Sequence, residues 1–121
     1  MVIVLKEKSK KMKQFLYLIR GGDENFSKLS PEEYQTHMEK WGVWMSEIKA
    51  EGFPLNAEGH VVSDGGSVVS DGPFAEGVEV VGGYILLPAN DMTHAVEMAK
   101  GCPVHEMGGT VEVRPIAEMP E

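Results

Sequence analysis

Cysteine is nearly missing from this chain. Cys102 stands alone among 121 residues, so no internal disulfide can form, which fits a reducing compartment. Long hydrophobic runs are missing too: nothing approaches the roughly 20 apolar residues that cross a bilayer, so no membrane partner is expected. The opening Met1-Val2-Ile3-Val4-Leu5 is followed by Lys6, Lys8, Lys10, Lys11 and Lys13, the wrong order for a secretory signal, and a cytoplasmic location is expected. Basic residues are scarce, 11 Lys and Arg against 19 Asp and Glu, for a net charge of −8. The five lysines of residues 1 to 13, set against Glu7, contribute +4, so the rest carries −12. An acidic body repels phosphate backbones and excludes nucleic acid as a partner. No two histidines have metal-ligand spacing, and Gly21-Gly22 and Gly108-Gly109 lack the spacing and following helix of a phosphate cradle, so neither a metal nor a cofactor is expected.

What remains is a chain of ordinary globular composition, 42% hydrophobic and 25% charged, long enough for one core that buries about two-thirds of the unfolded surface. It divides into a loosely attached or disordered basic arm over 1–12, a single domain over 13–117 and a tail over 118–121.

Within the domain, Lys13 to Arg20 alternates Phe15, Tyr17 and Ile19 with Leu16, Leu18 and Arg20, an interior strand apolar on both faces. Gly21-Gly22-Asp23 breaks it, and a polar loop runs to Leu29. Ser30-Pro31-Glu32-Glu33 predicts a helix start, with Ser30 as N-cap, Pro31 in the first turn and Glu33 closing a capping box. Tyr34, Met38, Trp41, Met45 and Ile48 form its apolar stripe, and Gly52 is expected to end it. Asp64-Gly65-Gly66 predicts a turn between two short strands carrying the near-repeat Val-Val-Ser-Asp-Gly. Asp71-Gly72-Pro73 predicts another turn, and Val80 to Leu87 a strand stopped by Pro88. Asn90 or Asp91 caps a second helix with Met92, Ala95, Val96 and Ala99 on one face and Gly101 at its end. Thr110 to Arg114 is the last strand.

This order, βαββαβ with the hairpin folded into the second strand, predicts an α+β ferredoxin-like sandwich: an antiparallel sheet with both helices on one face. The other face, carrying either Leu16 and Leu18 or Phe15 and Tyr17, is too apolar for water. A homodimer with two sheets face to face is therefore expected.

Asp71-Gly72-Pro73-Phe74-Ala75-Glu76, Glu79, Gly82-Gly83-Tyr84 and Gly109-Thr110-Val111-Glu112-Val113-Arg114-Pro115-Ile116, together with Phe15 to Arg20, Leu29 to Glu33 and the tryptophan-bearing helix, resemble the YCII-related proteins of the Asp-Gly-Pro-Phe type. The likeness spans Met12 to Ile116. It implies a dimeric α/β-barrel-like assembly, found mostly in bacteria, of largely unassigned activity, often associated with extracytoplasmic-function sigma factors. More distant relatives look like cofactor-independent enzymes using a His–Asp pair, the histidine on this same first helix. Two departures stand out. Gly77-Val78 replaces a common Thr-Lys pair, and Cys102 precedes Pro103 where the enzymes place an aspartate.

The candidates for chemistry follow. Asp71 either accepts backbone N–H bonds in its turn or lines a cleft as a base. His37 lies about 60° off the centre of the apolar stripe at 100° per residue, with Trp44 on the same flank, where it borders the core or faces a cleft. His60 opens the hairpin, and either histidine could pair with Asp71. Trp44, Phe74, Gly82, Gly83 and Arg114 are the candidate ligand contacts, although Arg114 shares a strand face with Glu112 and is equally suited to a structural ion pair. Cys102 has no adjacent base and follows a helix C-terminus, a poor setting for a nucleophile. His94 is expected to be solvated. Two functions follow: a small dimeric module, open to a regulatory role, that binds a small organic ligand near the Asp71 turn, or an acid–base lyase or hydrolase using Asp71 with a histidine.

Overall fold

The computed structural model describes residues 12–55, 59–72 and 81–118. The basic arm, Met12 excepted, lies outside the described residues, as do Pro73, Phe74 and most of the tail.

The strand read over Lys13 to Arg20 is β1 (Lys13–Arg20), with Phe15, Tyr17 and Ile19 buried and Leu16 and Leu18 half-buried. It lies between β5 (Val81–Ala89) and β6 (Thr110–Pro115) in a four-stranded sheet of order β2-β5-β1-β6, where β2 is Glu51–Pro54. All three pairings are antiparallel. With α2 (Pro31–Glu47) between β1 and β2, and α3 (Met92–Ala99) between β5 and β6, the chain is two split βαβ units, compatible with a ferredoxin-like sandwich. A short helix, α1 (Asp23–Phe26), replaces the loop expected after Gly22.

Several boundaries move for identifiable reasons. The hairpin of β3 (Gly59–Ser63) and β4 (Val68–Gly72), joined by a 3-10 turn at Asp64–Gly66, is a separate two-stranded sheet, and β2 takes the place assigned to it in the main sheet. Gly52 therefore lies in β2, and α2 stops earlier, its exit turned by Lys49 with φ 56°. Four residues with a glycine and a proline carry too little pattern to read as a strand. Asp71 and Gly72, expected in a turn, form the end of β4. Pro88 does not stop β5. Gln14 opposite it has its carbonyl committed to Ile116 N–H at 3.0 Å on the β6 side, so the Gln14–Pro88 pair exchanges no bonds. The proline nitrogen faces the other side, beyond the end of β2, and no ladder bond is lost.

The helices cover one face, where Phe15, Tyr17, Ile19, Ile85, Leu87 and Ala89 pack with Trp44, Ile48, Ala95, Ala99, Cys102 and Val104. The register gathers Leu16, Leu18, Leu86, Tyr84 and Phe53 on the opposite face, with Phe53 and Tyr84 stacked at 4.9 Å. On α3, Ala95 and Ala99 are buried while Met92 and Val96 are exposed, and the helix is capped by Asp91, whose carboxylate accepts from His94 N–H at 2.8 Å. His94 also closes this turn from the other side, its Nδ1 accepting from Asn90 N–H at 3.0 Å.

The Tyr17 hydroxyl donates to the Ala95 carbonyl, tying β1 to α3. Burial, with Cys102 adding to it, pushes the Tyr17 phenol up to about 12, and burial pushes the Cys102 thiol up to about 12 against a bond from the Val104 backbone. Both groups hold their protons more tightly in the fold than unfolded, so their stabilisation is complete below pH 9.0, the ordinary value of the thiol, and is lost as pH rises towards 12. Urea midpoints measured from about pH 8 to 11 are expected to fall, approaching a loss on the order of 3 kcal/mol per group at the alkaline limit.

Candidate functional site

The site is built on α2. Its start is held by the capping box read from the sequence: the Ser30 hydroxyl accepts from Glu33 N–H at 3.1 Å, and the Glu33 carboxylate accepts from Ser30 N–H at 2.9 Å, which holds Glu33 below its ordinary carboxylate range. The helix sits rotated from the expected stripe. Tyr34 and Met38 are 46% and 42% exposed, whereas His37 is only 5% exposed and Trp44 is buried. Trp44 explains the rotation. Its ring stacks on Tyr17 at 6.0 Å and its indole N–H donates to the Met98 carbonyl at 2.9 Å, burying more surface than Tyr34 could and satisfying the nitrogen. Turning Trp44 inwards carries His37, two turns earlier, with it.

An unbroken row of rings then leads from core to surface: Tyr17, Trp44, Trp41 at 5.7 Å, His37 at 6.3 Å and Phe26 at 5.7 Å. The Trp41 indole N–H donates to His37 Nε2 at 2.9 Å. An indole N–H can only donate, so Nε2 carries the lone pair and the neutral ring has its proton on Nδ1. That Nδ1 is buried with no hydrogen-bond partner among the described residues. The nearest carboxylate, Glu106 Oε1, is 3.9 Å away, beyond hydrogen-bond range. Glu106 belongs to the 3-10 turn Pro103–Met107 and is bonded by Lys40 Nζ at 3.1 and 3.3 Å. Around these groups opens a cleft of about 330 Å³, walled by Leu29, Glu32, Thr36 and Met107 besides His37, Lys40 and Glu106.

The turn is held from below. Asn25 Nδ2 donates to the Met107 carbonyl at 2.7 Å, and Gly109 N–H to the Val104 carbonyl at 2.9 Å. The two glycine pairs do their work here, by close packing: a Cβ on Gly22 would lie 3.2 Å from Met107 Cβ, and one on Gly109 only 2.6 Å from the Arg20 carbonyl oxygen.

The other sequence candidates fall elsewhere. Asp71 lies on β4, and the register sets it opposite His60 on β3. Phe74 lies outside the described residues. Trp44 is a core ring, and the tryptophan that reaches His37 is Trp41. Gly83, a candidate ligand contact, is buried where a Cβ would come 3.0 Å from the Phe53 carbonyl oxygen, so what lies against it is β2. Arg114 Nη1 donates to Glu112 at 3.1 Å and Arg20 Nη2 to the same carboxylate at 3.0 Å, and these bonds hold Glu112 below its ordinary range. Cys102 is buried, and its raised thiol is no nucleophile at neutral pH.

Trp41, Lys40, Glu106, Leu29 and Met107 were not singled out as site residues by the sequence. His37, Lys40 and Trp41 stand at i, i+3 and i+4, a spacing that does mark neighbours on one helix face. Nothing local marks Glu106, which arrives through the fold. Among the described residues no three of His, Cys, Asp and Glu gather closely enough to hold a metal ion, and no helix is long and apolar enough to cross a membrane. The model of the YCII-related domain family matches residues 12–120, and no curated protein matches the chain.

Proposed function

The chain belongs to the YCII-related domain family, and from that premise we propose that it is a small ligand-binding protein whose site is the cleft around His37. One observation carries the proposal: a buried imidazole in the wall of the cleft is fixed through Nε2 by Trp41 and leaves its Nδ1 without an acceptor among the described residues. A buried donor left without a partner costs about 1–3 kcal/mol, and a ligand acceptor relieves that cost. The test is an NMR titration of the labelled protein with a library of small polar compounds. Those that bind are expected to shift the Trp41 indole N–H signal, and His37→Leu to abolish the shift while the circular dichroism is unchanged. Binding that maps to other residues, or that survives His37→Leu, would refute the assignment. On the strength of Asp71-Gly72-Pro73-Phe74 we also place the chain in the Asp-Gly-Pro-Phe branch.

The working form is a homodimer joined through the uncovered sheet face. Leu16, Leu18, Leu86, Tyr84 and Phe53 support this as an apolar stripe bordered by the Arg20–Glu112–Arg114 ion pairs, the usual plan of an interface with an apolar centre and charged rim. Sedimentation is expected to give about twice the 13.3 kDa chain mass, and Leu18→Glu to return it to the single-chain value.

The β3–β4 register favours a second reading, an acid–base enzyme, because it sets His60 opposite Asp71. Asp71→Asn would then abolish turnover without unfolding the hairpin. Undiminished turnover in that variant would dismiss it.

A further inference from the structure

Resting on the cleft reading, we infer that the His37 site takes a small neutral hydroxyl compound, an alcohol or phenol, whose oxygen accepts from His37 Nδ1–H and whose O–H donates a hydrogen bond to the Glu106 carboxylate. The bond from Trp41 makes Nδ1 the donor in the neutral ring, and Glu106 Oε1 lies 3.9 Å from it. That gap is too long for a direct bond, and an oxygen bridging it at about 2.8 Å from each atom must both accept and donate. A hydroxyl does both. A carboxylate can only accept, and would set its charge against that of Glu106.

The surrounding charge points the same way. Lys40, whose ammonium would attract an anion, is bonded to both oxygens of Glu106, and Glu32 and Glu33 line the same cleft. An incoming carboxylate meets three glutamates against one committed lysine, and like charges brought together at a binding site cost several kcal/mol. Leu29 and Met107 supply apolar wall for a hydrocarbon body, and about 330 Å³ is at the small end of ligand sites. Nδ1 is closed to solvent, so the oxygen enters only as the Glu106 side chain, 48% exposed, shifts outwards with its Lys40 partner.

Phenol and benzoate share a ring and differ in the group presented, so they separate the two possibilities. The full-length ¹⁵N-labelled protein is titrated with each, following His37 Nδ1 and the Trp41 indole N–H. Phenol is expected to shift both signals saturably, with a dissociation constant about tenfold or more below that of benzoate. Glu106→Gln, with unchanged circular dichroism, is expected to shrink that preference to about threefold or less, because the amide removes the repelling charge and weakens the acceptor. Benzoate binding at these signals as tightly as phenol would overturn the hydroxyl preference and leave the cleft standing. An unchanged preference in Glu106→Gln would remove Glu106 from the assignment. If neither compound moves either signal while other ligands do, the hydroxyl inference fails alone, and if nothing moves them the cleft reading fails with it.

Discussion

Replacing Gly109 by alanine is expected to destabilise the protein by about 3 kcal/mol, the upper part of the range for overpacking, and to abolish binding in the cleft. The new methyl would stand 2.6 Å from the Arg20 carbonyl oxygen and 2.4 Å from Val104 Cγ2. The valine could turn aside. The carbonyl cannot, since it belongs to β1 at the point where Arg20 pairs with Thr110. Relief requires β6 or the Pro103–Met107 turn to move, and that turn carries Glu106 and Met107 into the cleft. Gly42→Ala is the control: nothing lies within 4 Å of its Cβ position on α2, so alanine there is expected to stabilise the helix by roughly 0.5–1 kcal/mol. Urea unfolding of the two variants checks both signs at once.

Trp44→Ala is expected to cost about 3–5 kcal/mol, the range for truncating a buried aromatic. The ring is 6% exposed, stacks on Tyr17, meets Trp41 edge-on and satisfies its nitrogen at the Met98 carbonyl. Its loss leaves a cavity where α2, α3 and β1 meet, and against a total stability of about 5–15 kcal/mol it lowers the melting temperature by about 10 °C or more, taken at roughly 4 °C per kcal/mol. Trp44→Phe keeps most of the stacking and gives up the hydrogen bond, so it is expected to cost about 1–2 kcal/mol. If the two variants melted alike, the cavity would not be the main source of the lost stability.

Sequence pattern was most informative where one local rule decided the outcome. The two-faced alternation of Lys13 to Arg20 requires an interior strand, and Ser30-Pro31 with Glu33 requires a helix start, because each depends on neighbours a few residues away. It was least informative where a distant contact overrode a local count. Tyr34, Met38 and Trp41 carry the periodicity of a buried stripe, yet Trp44 gains more by stacking on Tyr17, 27 positions earlier in the chain, and turns the helix so that His37 is buried instead. β2 was hidden because Glu51-Gly52-Phe53-Pro54 owes its state to pairing with Gly83 to Leu86. The candidate site divides in the same way. His37 was visible as a flank residue, whereas Glu106 lies 69 positions later in a turn with no distinguishing motif, brought to the cleft by the packing of Gly22 and Gly109.

Everything proposed for the cleft depends on the state of a single ring, and long-range ¹H–¹⁵N correlation of His37 at neutral pH reads it directly. A proton on Nδ1, with Nε2 bonded to a slowly exchanging Trp41 indole N–H, is the predicted result. A proton on Nε2, or an indole N–H of Trp41 that exchanges as fast as a solvated one, would contradict it.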